Sequence, residues 1–143
     1  MGETALIHEL IPHIDNTYRT IADRSGRGLE GFSTGGRAVA RDMFKYPELF
    51  CSAVPIGGGH QWERNLSRGI GEDKELEGAA NGNNSWDLAD AYATLTTAEE
   101  VAVLVVVVTE DDKYQSNLDW MAHLDSLGIS YSKFVVDGIG HEA

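Results

Sequence analysis

Gly31-Phe32-Ser33-Thr34-Gly35 sets a serine between two glycines, after the short apolar stretch Arg27 to Phe32 and directly before a helix-forming run. Gly-x-Ser-x-Gly between a strand and a helix is the sequence form of a nucleophile elbow, a strained turn that exposes the hydroxyl at the carboxyl edge of a sheet. Side chains at Gly31 or Gly35 are expected to press on the neighbouring strand or helix, and Gly36 to let the helix lie close to the sheet. The helix, Thr34 to Tyr46, aims its amino end at Ser33, where free N–H groups and the helix dipole favour negative charge. Acyl transfer produces such a charge. The motif alone is equally a glycine-rich turn with a capping serine, since 16 of the 143 residues are glycine.

The order of the remaining residues shifts that balance. Gly-x-Ser-x-Gly hydrolases carry their triad as serine, then a carboxylate, then histidine along the chain. Here Ser33 is followed by Glu110-Asp111-Asp112, directly after the apolar run Val101 to Val108, and then by His141 in Gly138-Ile139-Gly140-His141. A serine hydroxyl attacks an ester only if an imidazole takes its proton, and a carboxylate must hold the imidazole in the right tautomer. Taken alone, the acidic trio is also the form of a solvated strand end.

Elements that can position these groups follow from periodicity. Leu6, Ile7, Leu10, Ile11, Ile14 and Tyr18 make a helical stripe over Glu3 to Tyr18, with Pro12 expected to kink it or restart it. Asn16 to Arg27 reads as a loop, and Arg27 to Phe32 as the elbow strand. Pro47 closes the elbow helix. Phe50 to Ile56 reads as a second, buried strand holding Cys51, ended by Gly57-Gly58-Gly59. His60 to Asn84 has no period and reads as a long loop. Ser85 can cap a helix from Trp86 to about Ala98. Val101 to Val108 is apolar on both faces, as expected of a central parallel strand covered by helices on each side. Lys113 to Leu127 is a helix ended by Gly128, and Tyr131 to Val136 a fourth strand. Alternation of strand and helix implies an α/β fold with a parallel sheet and right-handed crossovers. No repeat or linker divides the chain, so residues 1–143 are expected to form one domain.

Composition narrows the function. A net charge of −12, from 11 basic and 23 acidic residues, argues against a nucleic-acid partner and disfavours strongly anionic substrates. With Cys51 the only cysteine, no disulfide can close within the chain, and no histidine or cysteine spacing suggests a metal. No cofactor is expected. The amino terminus lacks the basic and apolar regions of a secretory leader, and the longest apolar stretch is far short of a membrane span. A soluble, cytoplasmic protein without membrane contact is expected. His8, His13 and His123 fall in helical patterns as surface residues. His60 either borders the site or is a plain loop residue, and Trp62 and Trp86 either line an acyl pocket or pack.

Glu9-Leu10-Ile11-Pro12-His13-Ile14-Asp15, Tyr18-Arg19-Thr20, Gly31-Phe32-Ser33-Thr34-Gly35-Gly36 and Tyr46-Pro47-Glu48-Leu49-Phe50 resemble the α/β-hydrolase family of esterase D, feruloyl esterases and enterochelin esterase-like enzymes. The likeness continues through Thr109-Glu110-Asp111-Asp112, Asn117, Leu127-Gly128-Ile129 and Gly138-Ile139-Gly140-His141, so it spans nearly the whole chain. It implies a nucleophile at Ser33, a general base at His141 and an acid at Asp111, with Asp112 a substitute because Val108 stands where the family pattern has glycine. It also implies an oxyanion donor in the backbone N–H of Thr34. Family members carry further strands ahead of the first helix here, and the loop after the third of them supplies a second donor. The expected architecture is therefore a truncated, minimal α/β-hydrolase of about four parallel strands flanked by helices, either naturally short or a fragment. One donor fewer costs about 3 kcal/mol of transition-state stabilisation, roughly a hundredfold in rate. The expected activity is that of a serine carboxylesterase on short-chain or activated small-molecule esters. The alternatives are a non-catalytic or partner-binding remnant of the fold and a related acyl transferase. Without upstream strands the elbow strand becomes an open edge, which predicts a homodimer or higher homo-oligomer.

Overall fold

The chain opens with a helix that changes gauge. Helix α1 (Gly2–Ala5) widens into a π-turn at Leu6–Leu10 and continues as α2 (Ile11–Thr17), with Pro12 in the first turn of α2. Proline lacks an N–H and its ring crowds the carbonyl four residues back. The π-turn, in which Ile11 N–H donates to Leu6 O, removes that conflict, so the helix restarts at the proline without breaking. The protein is described here from a computed structural model, which covers residues 2–60, 64, 82–95 and 100–142.

After a single 3₁₀ turn at Arg24–Gly26 come strand β1 (Gly28–Phe32), helix α3 (Thr34–Lys45) and strand β2 (Ser52–Ile56). Helix α4 (Ser85–Ala93), strand β3 (Ala102–Val108), helix α5 (Tyr114–Leu127) and strand β4 (Ser132–Val136) complete the described elements. The four strands form one parallel sheet in the order β1-β2-β3-β4. Phe32, Ile56, Val106 and Phe134 share one row across it. The expected α/β architecture with a parallel sheet flanked by helices is the one observed.

Several local expectations change. Asn84, not Ser85, caps α4, its side-chain oxygen accepting from the N–H groups of Trp86 and Asp87. That helix ends at Ala93 with Thr94 as its cap, short of the expected Ala98, which lies outside the described residues. Strand β2 begins one residue after Cys51, which is only half-buried. Most of the expected loop from His60 to Asn84 also falls outside the described residues.

The largest difference concerns β3. Because each strand joins the next in one constant direction, right-handed crossovers gather α3, α4 and α5 on one face of the sheet. Val103, Val105 and Val107 are buried there with Met43, Phe44, Trp86, Trp120 and Leu124. Ala102 and Leu104 point the other way and are exposed. An apolar residue at every position of β3 therefore marks one face of the core and one face outside it, not two faces covered by crossover helices.

Candidate active site

The elbow is built by crowding and strain. Ser33 adopts φ +56° and ψ −115°, a left-handed conformation that costs an L-residue on the order of 1–3 kcal/mol and is kept where the surroundings over-determine it. Its N–H is held by Ile56 O at 2.8 Å, so the turn is tied to the end of β2. A Cβ at Gly31 would lie 2.5 Å from the backbone of Gly35, and one at Gly36 would lie 2.5 Å from Ile56 O. Gly35 itself faces open space. The crowding expected at Gly31 and the close approach of α3 to β2 expected at Gly36 are both present, and only the expected role of Gly35 is not.

Ser33, Asp111 and His141 meet at the carboxyl ends of β1, β3 and β4, the rim where open α/β sheets carry their sites. His141 Nε2 lies 2.7 Å from Ser33 Oγ, and His141 Nδ1 lies 2.6 Å from Asp111 Oδ2. Phe32 stacks on the imidazole with ring centroids 4.6 Å apart, which fixes the plane of the ring. The Asp111 side chain is 1% exposed, and its second oxygen accepts from Lys113 N–H at 2.8 Å. Buried and bonded at both oxygens, this carboxylate favours a proton on Nδ1 and leaves the Nε2 lone pair facing the serine. Asp112, the alternative acid, instead turns its carboxylate to solvent and pairs with Lys113. That hydrogen bond from Lys113 holds the Asp112 carboxyl below the usual carboxylate range.

The loops carrying the acid and the histidine are tied to each other. Thr109 Oγ1 donates to Asp137 Oδ1 and accepts from Gly138 N–H, while Glu110 N–H donates to Ile139 O. Thr109 was visible in the sequence only as a neighbour of the acidic trio, and its partner Asp137 lies 28 positions away. Thr34 occupies the first turn of α3, where N–H groups have no helical carbonyl to bond. A cavity of about 350 Å³ opens beside Ser33, lined by Thr34, Arg37, Gly58, Gly59, Asp112 and Lys113. No large apolar side chain is among these residues.

His60 does not line that cavity. It is fully buried behind Gly58, stacked on Trp120 at 4.1 Å, with Nδ1 3.1 Å from Ser85 Oγ and Nε2 without a partner among the described residues. Trp86 packs in the core, its indole N–H donating to His60 O, and Trp62 lies outside the described residues. Burial pushes the His60 pKa down to about 3, with Arg37 adding to the shift. Unfolded, the ring protonates near pH 6.5; folded, it resists protonation down to about pH 3, so stability falls as pH drops through that window. At pH 4.5 the loss from this group is on the order of 3 kcal/mol. Urea denaturation should therefore show a steeper acid loss in the wild type than in His60→Gln, and identical pH slopes would contradict this.

The described strands and helices have the α/β-hydrolase fold. No family profile matches the chain, and no curated protein matches it by sequence. Among solved structures it is similar to an S-formylglutathione hydrolase of Staphylococcus aureus, with a TM-score of 0.78 at 20% identity over 99% of this chain and 55% of that one. A fluorophosphonate-binding serine hydrolase of the same organism gives 0.80 at 18% identity, covering 96% of this chain and 56% of that one. A ferulic acid esterase gives 0.73 at 22% identity over 98% and 53%. The chain thus has the fold of these esterases and spans about half their length. Among the described residues no helix is long and apolar enough to cross a membrane.

Proposed function

We propose that the chain is a serine carboxylesterase acting on short-chain or activated carboxylic esters. The observation that carries this reading is the continuous hydrogen-bonded line from Asp111 through His141 to Ser33 Oγ, with both links under 3 Å. His141 Nε2 accepts the Ser33 proton as Oγ attacks the ester carbonyl carbon. The carbonyl oxygen becomes an oxyanion facing the Thr34 N–H at the positive end of α3. Collapse breaks the bond to the alkoxy group, which leaves as alcohol with the proton from His141. Water then enters by the same steps in reverse and frees the acid. A cavity of about 350 Å³ with no large apolar side chain among its described lining residues suits short acyl groups, and the names of the similar structures agree with ester hydrolysis. The test is release of p-nitrophenol from p-nitrophenyl acetate, compared between the wild type and Ser33→Ala.

We also propose that a second copy covers the open edge of β1. Among the described strands β1 pairs only with β2, which leaves its outer row of N–H and C=O groups unpaired. An apolar groove of about 300 Å³, with Leu6, Leu10, Ile14, Leu29 and Phe50 in its walls, lies beside it. Sedimentation at low micromolar concentration should give a dimer or larger species, and a monodisperse monomer would overturn this assembly.

A further inference from the structure

Three consecutive glycines follow β2, and each stands against a different neighbour. Gly57, at φ +56°, would place a Cβ 3.2 Å from Asp111 Oδ2 and 3.5 Å from His141 Cε1. Its backbone therefore lies flush against the hydrogen bond that joins acid and imidazole. Gly58 leaves room for the buried His60 ring, whose Cε1 and Nε2 would be 2.6 Å from a Cβ there. Gly59, at φ +58°, lies under the aliphatic stem of Lys113.

The turn is also held from behind. Gly57 N–H donates to Val106 O, continuing the β2–β3 ladder past its end. Gly58 N–H donates to Oδ1 of the buried Asn117, whose Nδ2 donates to Lys113 O. Lys113 N–H in turn donates to Asp111 Oδ1. A hydrogen-bonded circuit runs from the glycine turn through Asn117 and Lys113 to the carboxylate that a Cβ on Gly57 would press against. Ending a strand requires none of this.

We propose that Gly57 is a positioning residue: its bare backbone is the stop against which Asp111 and His141 close, and Asn117 keeps that stop in place. The role in turnover rests on the esterase reading above, whereas the effect on the Asp111–His141 hydrogen bond does not. A Cβ at Gly57 forces Asp111 Oδ2 to give by a few tenths of an ångström, while His141 stays at ordinary contact distance, so the hydrogen bond between them is disturbed from the acid's side. Misplacements on the ångström scale cost about a hundredfold in rate, so tenfold or more is expected here.

The experiment uses Gly57→Ala and Gly57→Asn. Both introduce the same Cβ, and asparagine tolerates the left-handed backbone better, so it guards against simple misfolding. Gly128→Ala is the control, because Gly128 has φ +70° at the end of α5 with nothing within 4 Å of a Cβ. The direct readout is the downfield imidazole N–H proton resonance of the short His141–Asp111 bond. Both Gly57 variants should shift or lose it, and should lower kcat for p-nitrophenyl acetate about tenfold or more with KM within about twofold. Gly128→Ala should keep resonance and kcat while losing stability. A folded Gly57→Asn with the wild-type resonance, or a Gly128→Ala that loses it equally, would overturn the proposal. A wild type without Ser33-dependent turnover would instead remove the esterase reading, and the resonance would still decide the role of Gly57.

Discussion

Replacing Ser33 with alanine is expected to abolish the burst of p-nitrophenol and to lower kcat by at least about 10⁴-fold, leaving only what binding and the Thr34 N–H provide. The wild type should carry an acetyl group on the peptide containing Ser33 when quenched during turnover, and the variant should not. The left-handed φ of +56° at this position makes the experiment clean. Alanine endures the same backbone strain as serine, so Ser33→Ala should melt close to the wild type. Ser33→Gly should be equally inactive yet more stable by about 1 kcal/mol, since glycine adopts that conformation freely. Unchanged turnover in either variant would assign any hydrolysis to a different nucleophile. Loss of activity accompanied by unfolding of Ser33→Ala would contradict the geometry of the elbow.

Asp111→Asn should cost about 10⁴-fold in kcat while preserving the fold. The aspartate carboxylate only accepts, and so keeps the proton on His141 Nδ1 and the lone pair on Nε2 toward Ser33. An asparagine amide can donate to Nδ1, which moves the proton to Nε2 and aims an N–H at the serine oxygen. The imidazole is then in place but in the wrong tautomer, unable to accept a proton from Oγ. Asp112→Asn supplies the contrast, because that carboxylate is 81% exposed and engages Lys113, so its loss should change kcat by no more than a few-fold. Equal effects from the two substitutions would break the assignment of Asp111.

Much of this arrangement could be read from residue order alone. Strand–helix alternation gave the parallel sheet, and the succession of serine, carboxylate and histidine gave the three groups that meet at its rim. What resisted reading was set by contacts between distant segments. Gly35 looks as crowded in sequence as Gly31 and Gly36, and only the structure shows that it faces open space. Asn84 and Ser85 are both good caps, and the choice between them follows from Ser85 being drawn inward to His60. His60 resembles a loop histidine until Trp120, 60 positions later, closes over it. Pattern also cannot tell how many faces of an apolar strand are covered: β3 is apolar throughout, yet Ala102 and Leu104 face outward. The run Gly57-Gly58-Gly59 carried a usable signal that strand termination under-explains, since one glycine suffices to end a strand.

The order β1-β2-β3-β4 has a consequence for how the site is assembled. Each strand pairs with the one before it across a full crossover, Gly28 with Ser52, Ser52 with Ala102 and Leu104 with Ser132, so every pairing closes a long loop before it gains contacts. Ser33 and His141, 108 positions apart, join the end of β1 to the loop after β4. A chain that stops short of His141 holds Ser33 without the imidazole that hydrogen-bonds to it. On the proposed esterase reading, Ser33 gains its base only once β4 has brought His141 to the rim.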